Sequence, residues 1–476
     1  MQHEAFPTNA FNRAWDPESF RAQGHALIDM LANYLGSASQ GGTMPILPWV
    51  DPAAMVESWP PIGEMPENTT FAALCERILR EANHLHHPHY IGHQVPPPLP
   101  VTAMCDMIAS LLNNGMAVYE MGTTGTAMET RLIQWMCARI GFGDGGGGVI
   151  TSGGSAANLT ALLAARNIYA ERCGDQLPAM LVSEHAHYSV TRALKMLGFG
   201  TEGIIRVPVD DELRLDTARL DESLEHAKAR DRVVIGVCAS ACSTPAGIFD
   251  RLEEVAAFCA EHRLWMHVDA AHGAPASLSE EYRHLLNGIE HADSVVWDIH
   301  KMMLMPALAS AVLYKRDEQS YAPFAERSSY LLEKAGKEEW FNIGQRTLEC
   351  TKRSIGFKAY IALQLFGEPM FASYLTCMFD RARAFADTIQ ESDDFELGAY
   401  PEANIVCFRY TGTKAGDIDA LQIRLRKRLI ESGAYYIVQT ALPTGRYLRV
   451  VIINPLTTET HLARLLDTIR EIARSL

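Results

Sequence analysis

The sequence predicts an α/β protein: a large domain on a mainly parallel sheet, preceded by a helical N-terminal segment and followed by a small α+β unit. Three observations carry this. Apolar runs of strand length recur from residue 148 onward, and helical patterns separate several of them. The chain before residue 100 has no such runs and mixes amphipathic helices with prolines. Beyond a long helical stretch near 352–390 the texture changes again to short strands and one closing helix. Strands alternating with helices bury a sheet on both faces, which favours parallel pairing.

Taken in order, ESFRAQGHALIDMLANYL (18–35) and FAALCERILREANHL (71–85) carry apolar residues at helical spacing. MPILPWVDP and SWPPIGEMP between them read as extended, proline-punctuated chain, and PPPLP (96–100) marks a boundary. The predicted strands of the large domain are GVIT (148–151), AMLVSE (179–184), RVVIGVCAS (232–240), LWMHVDA (264–270), DSVVWDI (293–299) and SAVLYK (310–315). ANLTALLAARNIYAER (157–172) and RLEEVAAFCAEHR (251–263) are predicted helices among them. NIVCFRY, YYIVQT and YLRVVIIN are predicted strands of the last unit, closed by the helix ETHLARLLDTIREIARS (459–475). The expected division is an N-terminal segment 1–100, a large domain 101–365 and a small domain 366–476.

Composition narrows the function. The chain has 476 residues, 48% of them hydrophobic, and a formal charge of -15. An acidic protein is a poor partner for nucleic acid or an anionic membrane surface. The start has neither a basic nor an apolar leader region, and no apolar run reaches membrane-spanning length. Ten scattered cysteines without a C-x-x-C pair fit a reduced, cytoplasmic setting.

Several motifs compete with plainer readings. In VVWDIHKMML (295–304), Lys301 lies among apolar residues, with Asp298 and His300 just before it. Such a lysine either snorkels to the surface or has a lowered pKa and forms a Schiff base. The turn Ser152-Gly153-Gly154-Ser155 between a strand and a helix is either a phosphate cradle or an ordinary N-cap by Ser155. GFGDGG (141–146) matches a dinucleotide fingerprint in letters only, because it precedes a strand and opens no helix. Asp269 ends a predicted strand, where open α/β sheets bind ligands; the plain reading is a helix N-cap or a buried, hydrogen-bonded acid. His187 follows another strand. Five histidines at 84, 86, 87, 89 and 93 lack the spacing and cysteine partners of a zinc site, so no metal is expected.

Together, the cradle, His187, Asp269 and the His300–Lys301 pair meet the needs of one cofactor. Pyridoxal 5'-phosphate requires a phosphate site, a lysine for its aldehyde, an acid at its pyridine nitrogen and a group against its ring.

With HVDAA (267–271) and HK (300–301) as its strongest marks, the sequence resembles the group II pyridoxal-phosphate-dependent amino acid decarboxylases. These include aromatic-amino-acid, glutamate, cysteine-sulfinate and 2,4-diaminobutyrate decarboxylases. RHLLNGIEHADSVVWDIHK (283–301) is similar to the aromatic branch in its first half. HPHYIGH (87–93), YEMGTTGTAMET (119–130) and CTKRSIGFKAY (350–360) are closer to the glutamate and cysteine-sulfinate branch. The resemblance implies a fold-type I, aspartate aminotransferase-like large domain with a seven-stranded sheet. It also implies a homodimer with active sites at the interface and an N-terminal segment wrapping the partner.

The resemblance further implies Lys301 as the Schiff-base lysine, His187 stacked on the ring, Asp269 at its nitrogen and Ala271 packed against it. Gly154, Ser155 and His300 would hold the phosphate, with Thr244 near the cofactor. Arg449 matches an arginine that meets a substrate carboxylate, and His93 stands where the glutamate branch has a substrate-contacting glutamine. Tyr330 resembles a loop tyrosine that returns a proton to Cα. Asp298 stands where many members carry asparagine, and an acid there would repel a phosphate unless protonated or turned away.

The implied activity is α-decarboxylation of a small polar or acidic L-amino acid (aspartate, cysteine sulfinate, glutamate or 2,4-diaminobutyrate). Alternatives are decarboxylation-coupled oxidative deamination to an aldehyde, and decarboxylation of aromatic amino acids. A reading from another class is a non-enzymatic metal-binding protein using the 84–93 histidines.

Overall fold

The computed structural model describes residues 12, 14–42, 44–324, 339–412 and 416–476. They form two compact units, one of His93–Gly412 and Gln439–Ile453, the other of Met1–Gly92, Thr413–Val438 and Asn454–Leu476.

The first unit is built on seven strands: β1 Gly147–Thr151, β2 Leu177–Ser183, β3 Ile204–Val207, β4 Arg232–Ser240, β5 Trp265–Asp269, β6 Ser294–Asp298 and β7 Ser310–Tyr314. Their order is β1-β7-β6-β5-β4-β2-β3. Strands β6, β5, β4, β2 and β3 run parallel, whereas β7 is antiparallel to both β6 and β1. All five residues of β5, β6 and β7 are buried. Burial on both faces explains why these strands read as continuous apolar runs rather than as alternation. Small residues let the Gly154–Ile168 helix approach the sheet closely: Ala157, Ala161, Ala164 and Ala165 are fully buried.

One consequence of this topology places the site. Four of the five parallel strands end at Ser183, Ser240, Asp269 and Asp298. Because β7 runs the other way, it begins at the same edge: Ser310 pairs with both Asp298 and Thr151. The polar residues therefore gather at the carboxyl edge of the sheet, while the strand interiors are mostly apolar, His267 of β5 being an exception.

A second sheet of the same unit has the order β10-β11-β9-β8, formed by β8 Phe395–Ala399, β9 Ile405–Tyr410, β10 Val438–Leu442 and β11 Gly445–Val451. The long helical stretch is Phe357–Gln390, broken at Gly367 (φ 70), two residues before Pro369. GFGDGG becomes a glycine turn ahead of β1, with Gly141 and Gly143 at positive φ.

The second unit contains the helices Pro17–Gln40, Phe71–Glu81, Ile418–Ser432 and Glu459–Ser475. Asp16 caps the first by accepting from Ser19 N at 3.0 Å. Its histidines have structural partners. His84 Nδ1 is 3.3 Å from Tyr34 Oη, His87 Nδ1 accepts from His89 N at 3.1 Å, and His89 stacks on Tyr435 at 4.1 Å. Among the described residues, no group of three or more His, Cys, Asp or Glu has metal-holding geometry. No described helix is long and apolar enough to cross a membrane.

Candidate active site

At the carboxyl edge of the seven-stranded sheet lies a cavity of about 490 Å³. Its walls include His93, Gly154, Ser155, His187, Thr244, Asp269, Ala271, His300 and Lys301. Nine of the residues singled out from sequence thus converge on one space, although more than 200 positions separate the first from the last. Arg449 does not line it. Tyr330 lies outside the described residues.

The loop after β6 folds back within one turn, bringing Lys301 Nζ to 2.9 Å from Asp298 Oδ2. Ser310 donates to the other carboxylate oxygen at 2.5 Å, and His300 Nε2 is 3.8 Å from Asp298. Asp298 is 2% exposed. Burial alone would raise its pKa, but the Lys301 and His300 charges hold the carboxyl below its ordinary value. Burial likewise works against the Lys301 ammonium, yet Asp298 and then Asp269 hold it above the usual lysine range. The sequence offered a lysine with a lowered pKa or one that snorkels. Lys301 is partly buried, with 18% of its side chain exposed, and its ammonium is paired with Asp298 rather than released to solvent.

Asp269 ends β5 and is 7% exposed. Asn158, one turn into the Gly154–Ile168 helix, donates to Asp269 Oδ2 at 3.0 Å and to Ser189 Oγ at 2.9 Å. Ser189 in turn lies 2.7 Å from His187 Nδ1. His187 is also the N-cap of the Tyr188–Met196 helix. Burial lowers its pKa, opposed by Asp269. Behind Asn158, the fully buried His267 places Nε2 2.9 Å from the amide oxygen and Nδ1 2.8 Å from Ser294. Burial pushes His267 down to about 4, so the ring is neutral near pH 7 and braces Asn158 without adding charge.

The Gly154–Ile168 helix begins with no side-chain cap. Its N-cap position is Gly153, at φ 147, and Ser155 is its second residue, so Ser155 does not cap it. Uncapped N–H groups at a helix start are donors for an anion. Across the cavity, burial pushes His272 down to about 3; its Nε2 is 2.7 Å from Asn404 Oδ1. Arg449 on β11 is 6% exposed, and its Nε and Nη2 have no hydrogen-bond partner among the described residues. Its charge acts on Cys242 and His272, both of which line the cavity.

Sequence reasoning did not single out Asn158, Ser189, Cys242 or His272 as site residues. Asn158 had a signal: it is one of two polar residues, with Thr160, among the buried and mostly apolar positions of its helix.

A partly buried lysine held by a carboxylate, an acid braced from behind and an uncapped helix N-terminus around one cavity meet the requirements of a pyridoxal-phosphate enzyme, and the residues present fit that cofactor. The comparisons agree. The family described as "Pyridoxal-dependent decarboxylase conserved domain" matches residues 62–411, and the chain belongs to it. It is a pyridoxal-phosphate-dependent amino acid decarboxylase, a carboxy-lyase. The chain is 29% identical over 415 residues to the L-2,4-diaminobutyrate decarboxylase of Acinetobacter baumannii, covering 83% of this chain and 81% of that one. It is 30% identical over 473 residues to the aspartate 1-decarboxylase of Aliivibrio fischeri, covering 87% and 85%. The crystal structure of mouse CSAD has the same fold, with a TM-score of 0.89 at 23% identity, covering 97% of this chain and all of that one.

Proposed function

We propose that the substrate is a small polar or acidic L-amino acid, of the class of aspartate, cysteine sulfinate, glutamate or 2,4-diaminobutyrate, and that the product is the corresponding amine. The observation that carries this reading is the likeness to relatives named for aspartate and for 2,4-diaminobutyrate; beside it stands Arg449, a buried guanidinium whose Nε and Nη2 have no acceptor among the described residues. A buried cation without an acceptor is costly, and the carboxylate of an amino acid substrate would satisfy it. Relatives named for aspartate and for 2,4-diaminobutyrate support a small polar substrate.

When bound, pyridoxal phosphate supplies an electron sink for the pair left at Cα as CO2 departs. In this reading Lys301 would hold the cofactor at its aldehyde and Asp269 would face its pyridine nitrogen. Gly154, Ser155 and His300 would hold the phosphate. His187, Ala271 and Thr244 would bind its ring. His93 and Arg449 orient the substrate. Tyr330 is assigned the return of the proton to Cα.

We also propose a homodimer. On the Pro100–Leu112 helix, Met104, Met107, Ile108, Leu111 and Leu112 are all exposed, Leu111 by 69%. A contiguous apolar face of this kind marks an interaction site. Light scattering should give twice the chain mass, and Leu111→Glu should shift it toward the monomer.

The test of function is a product assay in air with each L-amino acid, reading amine and aldehyde by mass spectrometry. Amine and CO2 from an acidic or diamino acid support the proposal. Aldehyde with peroxide would overturn it in favour of oxidative deamination. Turnover of aromatic amino acids alone would overturn the substrate class.

A further inference from the structure

We propose that Asp298 is ionised in the cofactor-free site and takes up a proton when the cofactor's phosphate binds, so that cofactor affinity is linked to one proton held on this chain. The inference rests on the pyridoxal-phosphate site described above.

Three observations carry it. A Cβ placed on Gly154 would meet Asp298 Oδ1 at 2.9 Å and Oδ2 at 3.0 Å, so the carboxylate lies against the first residue of the uncapped helix. That helix end and His300, 3.8 Å from Asp298, are the groups assigned to the phosphate. The carboxylate is 2% exposed, so water does not screen it.

The groups facing Asp298 come from every element around it. Lys301 and His300 follow β6, Ser310 opens β7, and Gly154 opens the helix after β1. From further away, its charge raises the pKa of His187 after β2 and of His272 after β5. Asp269 on β5 adds a second negative charge near Lys301. With no phosphate present, Lys301 and His300 balance Asp298. A phosphate held at Gly154 and His300 adds one or two negative charges at the same point and shares the same cations. Two anions confined together in a buried site do not both stay fully ionised; one pKa rises strongly. The uncapped helix N–H groups and His300 favour the ionised phosphate, while Asp298 has to share its cations with it, so the carboxyl is the anion that takes the proton.

The test counts protons. Cofactor-free, full-length protein is titrated calorimetrically with pyridoxal 5'-phosphate in two buffers of different ionisation enthalpy at pH 8. Wild type should take up about one proton more than Asp298→Asn, and its affinity should fall roughly tenfold more per pH unit than the variant's. Phosphate-free pyridoxal shares the proton changes at Lys301 and at the ring nitrogen, so with it the two proteins should not differ. Equal uptake by both proteins with the phosphate cofactor would overturn the proposal and place the proton on the phosphate. A second readout uses wild type alone. In the infrared difference spectrum, the carbonyl stretch of a protonated carboxyl should appear with pyridoxal 5'-phosphate and not with pyridoxal; its absence also overturns the proposal. Failure of either protein to bind the cofactor, with no change in absorbance, would instead defeat the cofactor-site reading itself.

Discussion

Replacing Arg449 by methionine should make the protein more stable and a worse enzyme. The guanidinium is 6% exposed, and two of its nitrogens have no acceptor among the described residues. Burial lowers its pKa, and the nearby thiols Cys407 and Cys242 compensate only in part. A buried, unsatisfied polar group costs about 1–3 kcal/mol. Methionine fills similar space with no donor to satisfy, so the cofactor-loaded variant should gain about 1–3 kcal/mol, a rise of a few degrees in thermal midpoint. If Arg449 instead meets a substrate carboxylate during turnover, losing that charge-assisted bond should lower kcat/KM about 10- to 100-fold. The cofactor's absorbance should not change. The assay pairs differential scanning fluorimetry with steady-state kinetics on the best acidic substrate. A lower midpoint together with unchanged kcat/KM would refute the reasoning, because Arg449 would then be a satisfied structural residue.

Other expectations are independent of this one. Lys352 and Glu129 form a buried pair at 2.6 Å, and Glu129 also accepts from Ile150 N on β1. Lys352→Met, which strands the carboxylate, should cost about 3–5 kcal/mol in urea unfolding, and adding Glu129→Gln should recover most of it. Asn158→Ala removes a hydrogen bond to Asp269 and should lower kcat by about 10- to 100-fold, with a shift in cofactor absorbance as the acid loses its brace. Native-state alkylation at pH 8 should modify the exposed Cys350 and Cys377 and spare Cys242, whose thiol burial pushes up to about 12. Burial first, and His89 second, lower His87 from 6.5 to about 4. A depressed histidine pKa favours folding above the unfolded value, and that stability is lost as pH falls through the folded one. The thermal midpoint should therefore drop between about pH 6.5 and 4, less steeply in His87→Gln.

The parts legible in the sequence were those with strong local signals. Strands β4, β5, β6 and β7 are continuous apolar runs, and the Glu459–Ser475 helix is amphipathic and capped by Thr458. Strand β3 was missed because it spans four residues with exposed Arg206 in the middle, and its place beside β2 is decided by pairing. β8 was missed for a similar reason: in FELGA only Phe395 is buried. The Pro52–Ser58 helix lies between the two proline-rich segments read as extended chain, and no signal for it was taken from the residues between them. Here Pro52 occupies the first turn, where no N–H bond is lost, and Asp51 caps it.

In the site, Asp269 stood out because it ends a strand, His187 because it follows one, and Lys301 because it lies among apolar residues just past another. Asn158, Cys242 and His272 did not, since only the sheet brings them to the same cavity. The role of Asp298 is the clearest case. Sequence logic set it against a phosphate, while its lysine partner three residues on became visible only when the turn after β6 closed.

Strand β6 pairs with β5 through Ser294, Val295 and Val296, and with β7 along its whole length. Its pleat decides which way Asp298 points. A slip of one residue would turn that carboxylate to the opposite face and carry the Lys301 turn with it. A strand so displaced would lack the Lys301–Asp298 pair at the cavity, so cofactor loading should report on the register of β6. Chains that pair β6 out of step would remain colourless and could be separated from finished enzyme by spectrum alone.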